Sequence, residues 1–264
     1  METAIGSRTK AIIAVHYAGV PCAIAELARI AAKHGLHLIE DAAHCLESFV
    51  DKKPLGSFGR FGCLSFHQTK NVISGEGGAL LINDAADVAR AEIVAQKGTD
   101  RERFMRGEAA RYSWQELGSS YLASELVAAF LLAQLDAQPT LQARRLEIWN
   151  TYHDAFARLE DARRVRRPVV PAGARHNGHI YYLLLASVAE RDDLIAAAEA
   201  SGIGLTFHFV PLHESAAGMK YGRNFGNLMH TSSIASRLVR LPIYVDLTGG
   251  EQRRVIDVVE AFFS

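Results

Sequence analysis

The first half of the chain alternates short apolar runs with amphipathic stretches. AIIAV (11–15) reads as a buried strand. Residues 22–34 place Ile24, Leu27, Ala28 and Ala31 at helical spacing and stop at Gly35, which suits the left-handed position after a helix. LHLIE (36–40), CLSF (63–66) and ALLI (79–82) are further strands, and Asn83 with Asp84 caps a helix over 84–96. This alternation predicts an α/β fold with a mostly parallel sheet covered on its faces.

Residues 98–119 are polar, rich in Gly and Arg, and without a clear period, which predicts a long functional loop. Ser120 opens a long helical stretch that Pro139 interrupts, and a second, charged amphipathic helix runs to about Leu159. Beyond it, IYYLLLA (180–186) and GLTFHFV (204–210) are strands flanking a helix from Arg191 to Ala200, and a last helix runs from Glu251 to Phe263. The expected organisation is a large domain over 1–140 and a small α+β domain over 141–264.

Composition narrows the function classes. Among 264 residues, 29 Lys and Arg balance 29 Asp and Glu, so the net charge is zero. Nucleic acid and anionic membrane are excluded as main partners, because both need a basic excess. The 49% hydrophobic content indicates an ordinary globular chain. No apolar run reaches the ~18 residues that span a bilayer. Cys22, Cys45 and Cys63 form no C-x-x-C pair and read as reduced cytosolic thiols. METAIGSRTK has no apolar core of a signal peptide, and the first strand begins almost at once after it.

Two residues carry the candidate chemistry. Asp41 directly follows LHLIE, at the edge of a parallel sheet where ligands bind; it either caps the next turn or faces a cofactor. Lys70 follows CLSF and precedes a turn containing Gly75, Gly77 and Gly78. That turn lacks the G-K-[ST] ending of a Walker loop. Alone, Lys70 would be a solvated lysine. With His67 and Asn71 beside it at the mouth of the sheet, it can be desolvated enough to act as an amine nucleophile. An Asp and a Lys at two strand ends suit pyridoxal 5′-phosphate, which needs an amine to hold it and an acid to keep its pyridine nitrogen protonated. Ser65 stands in position for the phosphate.

VHYAG (15–19), IEDAAH (39–44), SFHQTKN (65–71) and GEGGALLIND (75–84) resemble the sugar-nucleotide aminotransferases of the DegT/DnrJ/EryC1/StrS family. The likeness continues through KGTDRERFMRG (97–107), YSWQELGSSYLASEL (112–126), NGHIYYLLL (177–185), FHFVPLH (207–213) and RLPIY (240–244), so it covers essentially the whole chain. It implies a fold-type I, aspartate-aminotransferase-like pyridoxal phosphate enzyme, with a small C-terminal domain and an active site shared across a homodimer. KGT-x-R with FMRG, and LGSSYLAS, resemble the branch that moves an amino group from glutamate to the C4 ketone of dTDP-4-keto-6-deoxy-glucose. The product there is dTDP-4-amino-4,6-dideoxygalactose, used in surface polysaccharide of the enterobacterial common antigen type.

By this resemblance Lys70 holds the cofactor and shuttles the proton, and Asp41 pairs with the pyridinium nitrogen. His44 lies beside the ring and its 3-hydroxyl, and Ser65 binds the phosphate. Ser120 replaces the Asn that reaches the phosphate of the partner subunit's cofactor, and brings fewer donors. Arg101, His208 and His213 fall on the substrate side. Family dehydratases carry His where this chain has Lys70, so the pattern is that of a transaminase. Complete relatives have a substantial segment before the point that matches METAIGSRTK. The alternatives are therefore a truncated, catalytically silent homologue, or an aminotransferase of a different nucleotide ketosugar.

Other clusters give weaker signals. His176 and His179, with His208 and His213, have spacings a metal site allows, but no Cys or acidic cluster accompanies them, and no metal is expected. Arg163, Arg164, Arg166 and Arg167 form either a phosphate patch or a solvated segment. Arg101, Arg103 and Arg106 are candidate donors to a nucleotide diphosphate. Tyr112 and Trp114 either stack on a ligand or pack.

Overall fold

A computed structural model describes residues 1–264, and the chain divides into two compact units. One is Arg8–Pro139; the other is Thr140–Ser264 together with Met1–Ser7.

In the first unit, the short apolar runs become strands because their alternate residues find a covered face. Ala11–Val15 (β1) is parallel to His37–Asp41 (β2), after a hairpin of Phe49–Val50 (β3) and Lys53–Pro54 (β4) comes Phe61–Ser65 (β5), and Gly78–Ile82 (β6) follows it. The four-stranded sheet has the order β1-β2-β5-β6. β1, β2 and β5 are parallel, whereas β6 runs antiparallel to β5, so the sheet is mixed and mostly parallel. Ile24–Lys33 (α1) crosses from β1 to β2 and ends before Gly35, whose φ of +62° is the left-handed turn expected there.

The boundaries differ from the sequence reading where pairing overrides pattern. Asp41 is the last residue of β2 rather than the residue after it, because it pairs with both Val15 and Cys63. The helix expected over 84–96 opens with a tight turn over Ala85–Asp87, capped by Asp84 accepting from the Ala86 N–H at 3.0 Å, before Val88–Ala95 (α2). The loop 98–119 contains Arg101–Met105 (α3), and the Gly98 carbonyl binds the N–H of Gln115 at 2.7 Å.

The long helix Glu125–Ala155 (α4) starts five residues after Ser120. Ser124 outcompetes Ser120 as its cap: its Oγ accepts from the Val127 N–H, and its carbonyl from Ala128. Pro139 lies inside α4 without ending it. The carbonyl it leaves unserved, on Leu135, lies on an exposed stretch open to water.

The second unit closes around Ile148, Trp149 and Tyr152 of α4 and Phe156 beyond it. Ala157–Asp161 (α5) follows. Its main elements are then Tyr181–Leu184 (β7), Val188–Ala200 (α6), Thr206–Phe207 (β8), Ala216–Tyr221 (α7), Met229–Arg237 (α8), Leu238–Leu241 (β9) and Gly249–Phe262 (α9). Its sheet is antiparallel with β9 in the middle, a strand the sequence pattern did not predict. GLTFHFV supplies only the two residues of β8. Tyr181, Leu183, Leu194, Val239 and Val259 are fully or almost fully buried. Each such side chain is worth ~1.5–3 kcal/mol of transfer free energy. Polar hooks hold this core in register: Tyr152 Oη donates to the Pro242 carbonyl at 3.0 Å and Gln252 Nε2 to the Ile148 carbonyl at 2.7 Å. Thr248 and Glu251 form a reciprocal cap at the start of α9.

Candidate active site

Strand register builds the site. Val15 pairs with Asp41, Asp41 with Cys63, and Cys63 with Leu80, so these four side chains form one row across the sheet. Ile13, Val15 and Leu80 on this face are 66%, 53% and 51% exposed, leaving a flat apolar surface around the carboxylate. Asp41 Oδ1 accepts from the Ala43 N–H at 3.1 Å, so the residue caps its turn and also stands at the sheet edge.

Ser65 ends β5 two residues beyond Cys63, and its Oγ accepts from the His67 N–H at 3.3 Å. From there Phe66–Ser74 folds back: Phe66 donates to Gly77, Gln68 to Gly75, and Lys70 to the His67 carbonyl at 2.9 Å. The turn brings Lys70 half-buried toward Asp41 and Cys45. Burial lowers its pKa below that of an ordinary lysine, and the negative charge of Asp41 partly opposes this. His44, in the turn after β2, accepts from the Ala18 N–H on Nδ1 at 3.2 Å, and the edge of the Tyr17 ring meets it at 5.9 Å. Asp41, His44, Ser65 and Lys70 thus converge at the carboxyl ends of β2 and β5.

Two further residues underlie this edge and escaped the sequence reading. Glu40 points to the covered face, fully buried. Its carboxylate accepts from His16 Nε2 at 2.9 Å and from the N–H groups of Gly56, Phe58 and Gly59 at 2.8, 2.6 and 2.7 Å. Burial pushes its pKa up, but His16 and the three N–H groups outweigh it and hold the carboxyl below its usual range. The available signal was parity: in LHLIE, Glu40 shares a face with Leu38, an apolar position where an acid needs partners.

Residues 1–260 match the profile of the DegT/DnrJ/EryC1/StrS aminotransferase family. The chain belongs to that family. It is 33% identical to an uncharacterized protein of Methanocaldococcus jannaschii and 29% identical to the spore coat polysaccharide biosynthesis protein SpsC of Bacillus subtilis. Each alignment covers 99% of this chain and 68% of the relative. Among solved structures, DesV of S. venezuelae in complex with a ketimine intermediate superposes with a TM-score of 0.86 at 28% identity, over 99% of this chain and 67% of DesV. The fold is that of the fold-type I pyridoxal phosphate aminotransferases.

In the DegT/DnrJ/EryC1/StrS frame, the remaining expected residues fall as follows. Ser120 is exposed and outside the helix it was expected to open; it bridges to Gln96, beside the Ser119 N–H bond to the Val94 carbonyl. Arg101 begins α3, exposed and without an ion pair. Arg103 and Arg106 are already engaged: Arg106 with Glu92 at 2.9 Å and Glu108 at 2.8 Å, Arg103 with Glu108 at 3.7 Å. Trp114 is 72% exposed, and Tyr112 packs on Phe104.

His208 and His213 belong to the second unit. Burial, with Arg240 nearby, lowers the His208 pKa. His213 Nε2 lies 3.1 Å from Ser232 Oγ, on a cavity of about 720 Å³ lined also by Asn224, Asn227 and Ser236. Of the other histidines, His176 packs against Trp149, and the His179 carbonyl accepts from Arg145. No group of three or more His, Cys, Asp or Glu is placed to hold a metal ion. Arg167 pairs with Glu160 at 2.7 Å, and Arg166 bridges to Leu184, so half of that arginine run is tied into the unit. No helix is long and apolar enough to cross a membrane.

The donor set fits pyridoxal phosphate. It offers an amine of lowered pKa, a neighbouring carboxylate, an imidazole and a hydroxyl, beside an open apolar surface able to lie against a flat ring.

Proposed function

We propose that the chain is a pyridoxal 5′-phosphate-dependent aminotransferase of nucleotide sugars, and the approach of Lys70 to Asp41 carries that reading. Bound here, pyridoxal phosphate supplies a carbon that carries the amino group and a ring that draws electrons from the substrate. Lys70 Nζ would hold the cofactor, and its amine would carry the proton that leaves the substrate carbon. Asp41 accepts the pyridinium N–H with an oriented carboxylate. Ser65 Oγ already accepts from the His67 N–H, which directs its own proton toward a phosphate oxygen. His44 stands beside the ring, and Ser120, exposed in its strap, serves the partner subunit's cofactor phosphate in a homodimer.

Glutamate is the proposed amino donor and the C4 ketone of dTDP-4-keto-6-deoxy-glucose the acceptor. Arg101, His208 and His213 would contact the nucleotide sugar, in surface polysaccharide synthesis of the enterobacterial common antigen type in the cytoplasm. The unpaired guanidinium of Arg101 supports a phosphate contact there better than Arg106, whose donors are taken by Glu92 and Glu108, or Arg103, which faces Glu108 at 3.7 Å.

A second reading rests on the exposed sheet face beside Asp41. In it, the chain keeps the family fold without turning over substrate by itself. Titration with pyridoxal phosphate separates the two. The first reading predicts a visible absorbance band that Lys70→Ala removes, and product from dTDP-4-keto-6-deoxy-glucose and glutamate. A band without product points to another ketosugar, and a cooperatively folded chain without a band supports the second reading.

A further inference from the structure

The buried pair behind the sheet does more than hold strands together. His16 makes four contacts that meet around one turn. Its N–H donates to the Asp41 carbonyl at 3.1 Å, and its Nε2 donates to Glu40. Its Nδ1 accepts from the Cys22 N–H at 3.3 Å, and its carbonyl accepts from Cys45 Sγ at 3.5 Å. The turn Tyr17–Gly19 is therefore pinned at its entry by His16 and at its exit by Cys22, and Val20 closes it onto the Tyr17 carbonyl at 3.0 Å. Inside it Ala18 is buried and left-handed, with φ +57° and ψ +21°. L-residues other than Gly and Asn rarely take that conformation, so the surroundings impose it. Its consequence is that the Ala18 N–H points at Nδ1 of His44.

A ring nitrogen that accepts a hydrogen bond carries no proton, so neutral His44 must carry its proton on Nε2. We propose that His16 and Glu40 are positioning residues that, through the left-handed turn at Ala18, lock His44 into the Nε2–H tautomer and make it a donor toward the oxygen substituent of a bound pyridoxal ring. The inference rests on the reading of His44 as a cofactor-site residue only in its last clause; the tautomer itself is a property of the cofactor-free chain. Tyr17 closes the device, since its ring edge on His44 limits rotation of the imidazole.

The test is nitrogen NMR of the cofactor-free chain with labelled histidines, at a pH above the imidazole range. The expected wild-type result is a single Nε2–H tautomer for His44 and slow hydrogen exchange at the Ala18 amide. His16→Gln still reaches Glu40 but cannot also accept from Cys22; it should shift the His44 nitrogen resonances toward a mixture of tautomers while the far-ultraviolet dichroism stays unchanged. Glu40→Gln is the second variant, and should produce the same shift should His16→Gln not fold. An Nδ1–H or mixed tautomer in the wild type, or fast exchange at Ala18, overturns the proposal without any variant. So does an unshifted His44 in a folded variant. A correct tautomer in a chain that binds no pyridoxal phosphate would instead sink the enzymatic reading and leave the positioning role standing.

Discussion

Nε2 of His16 lies 2.9 Å from Oε2 of Glu40, with both side chains fully removed from solvent, immediately behind the strand end that carries Asp41. A charge so placed is stable only because it is fully satisfied: one imidazole and three backbone N–H groups surround it. Glu40→Ala leaves those donors unpaired. It should lower the free energy of unfolding by about 3–5 kcal/mol, measured by urea titration at neutral pH.

The same carboxylate sets an acid limit. Its folded pKa lies below the ordinary 4.5, so the unfolded chain takes up the proton first as pH falls. The stabilisation is fully present above that value and drains away as pH drops through the lowered folded pKa. Urea midpoints measured downward from pH 6 should fall below pH 4.5 in the wild type and stay flatter in Glu40→Gln.

Lys70 titrates in the opposite sense. Burial lowers its pKa, so its amine becomes nucleophilic at a pH where exposed lysines are still protonated. Borohydride trapping of pyridoxal phosphate, mapped by peptide mass, should label Lys70 ahead of Lys10 or Lys33 at neutral pH. Uniform labelling of all lysines would remove the case for a special amine.

Gly62 is a steric prediction. A Cβ there would sit 2.2 Å from the Gly56 carbonyl, in the turn that Glu40 holds and that Asn83 Nδ2 also binds at 2.9 Å. Gly62→Ala should cost about 1–3 kcal/mol through overpacking, read as a lowered thermal midpoint, while an alanine at the open Gly249 costs little.

In the second unit, burial pushes the His176 pKa down to about 4, with His153 nearby adding to the effect. A lowered histidine pKa means the folded state refuses a proton the unfolded chain accepts. Stability of this unit should therefore decline from about pH 6.5 to about 4 and level off below. His176→Asn should flatten that slope in thermal scans across the same range.

Much was legible locally. AIIAV and the runs around Leu38 and Leu64 announce strands because they need only neighbours that hide their apolar side chains. Gly35 announces the end of α1 because few other residues adopt its backbone angles. Lys70 and Asp41 stand out only as a pair: singly they read as a solvated lysine and a turn cap, whereas an amine and a carboxylate at two strand ends together suit a pyridoxal cofactor. What failed has a common cause. Ser120 and Ser124 are equally good caps on paper, and only the pairing of Ser119 and Tyr121 with α2 decides that the helix waits for Ser124. Leu238–Leu241 has too few residues to display a period, and becomes the central strand because Tyr181–Leu184 and Thr206–Phe207 flank it.

The order of apolar and polar residues by itself determined the α/β class of the first unit and the parallel core of its sheet. Those follow from short-range rules of burial, backbone freedom and side-chain chemistry. Only the tertiary structure decided which arginines were already paired, that Glu40 would be ionised inside the protein, and that an alanine N–H would choose the tautomer of His44. These depend on groups tens of residues apart meeting within hydrogen-bond distance, where desolvation makes each contact count and no local pattern records it.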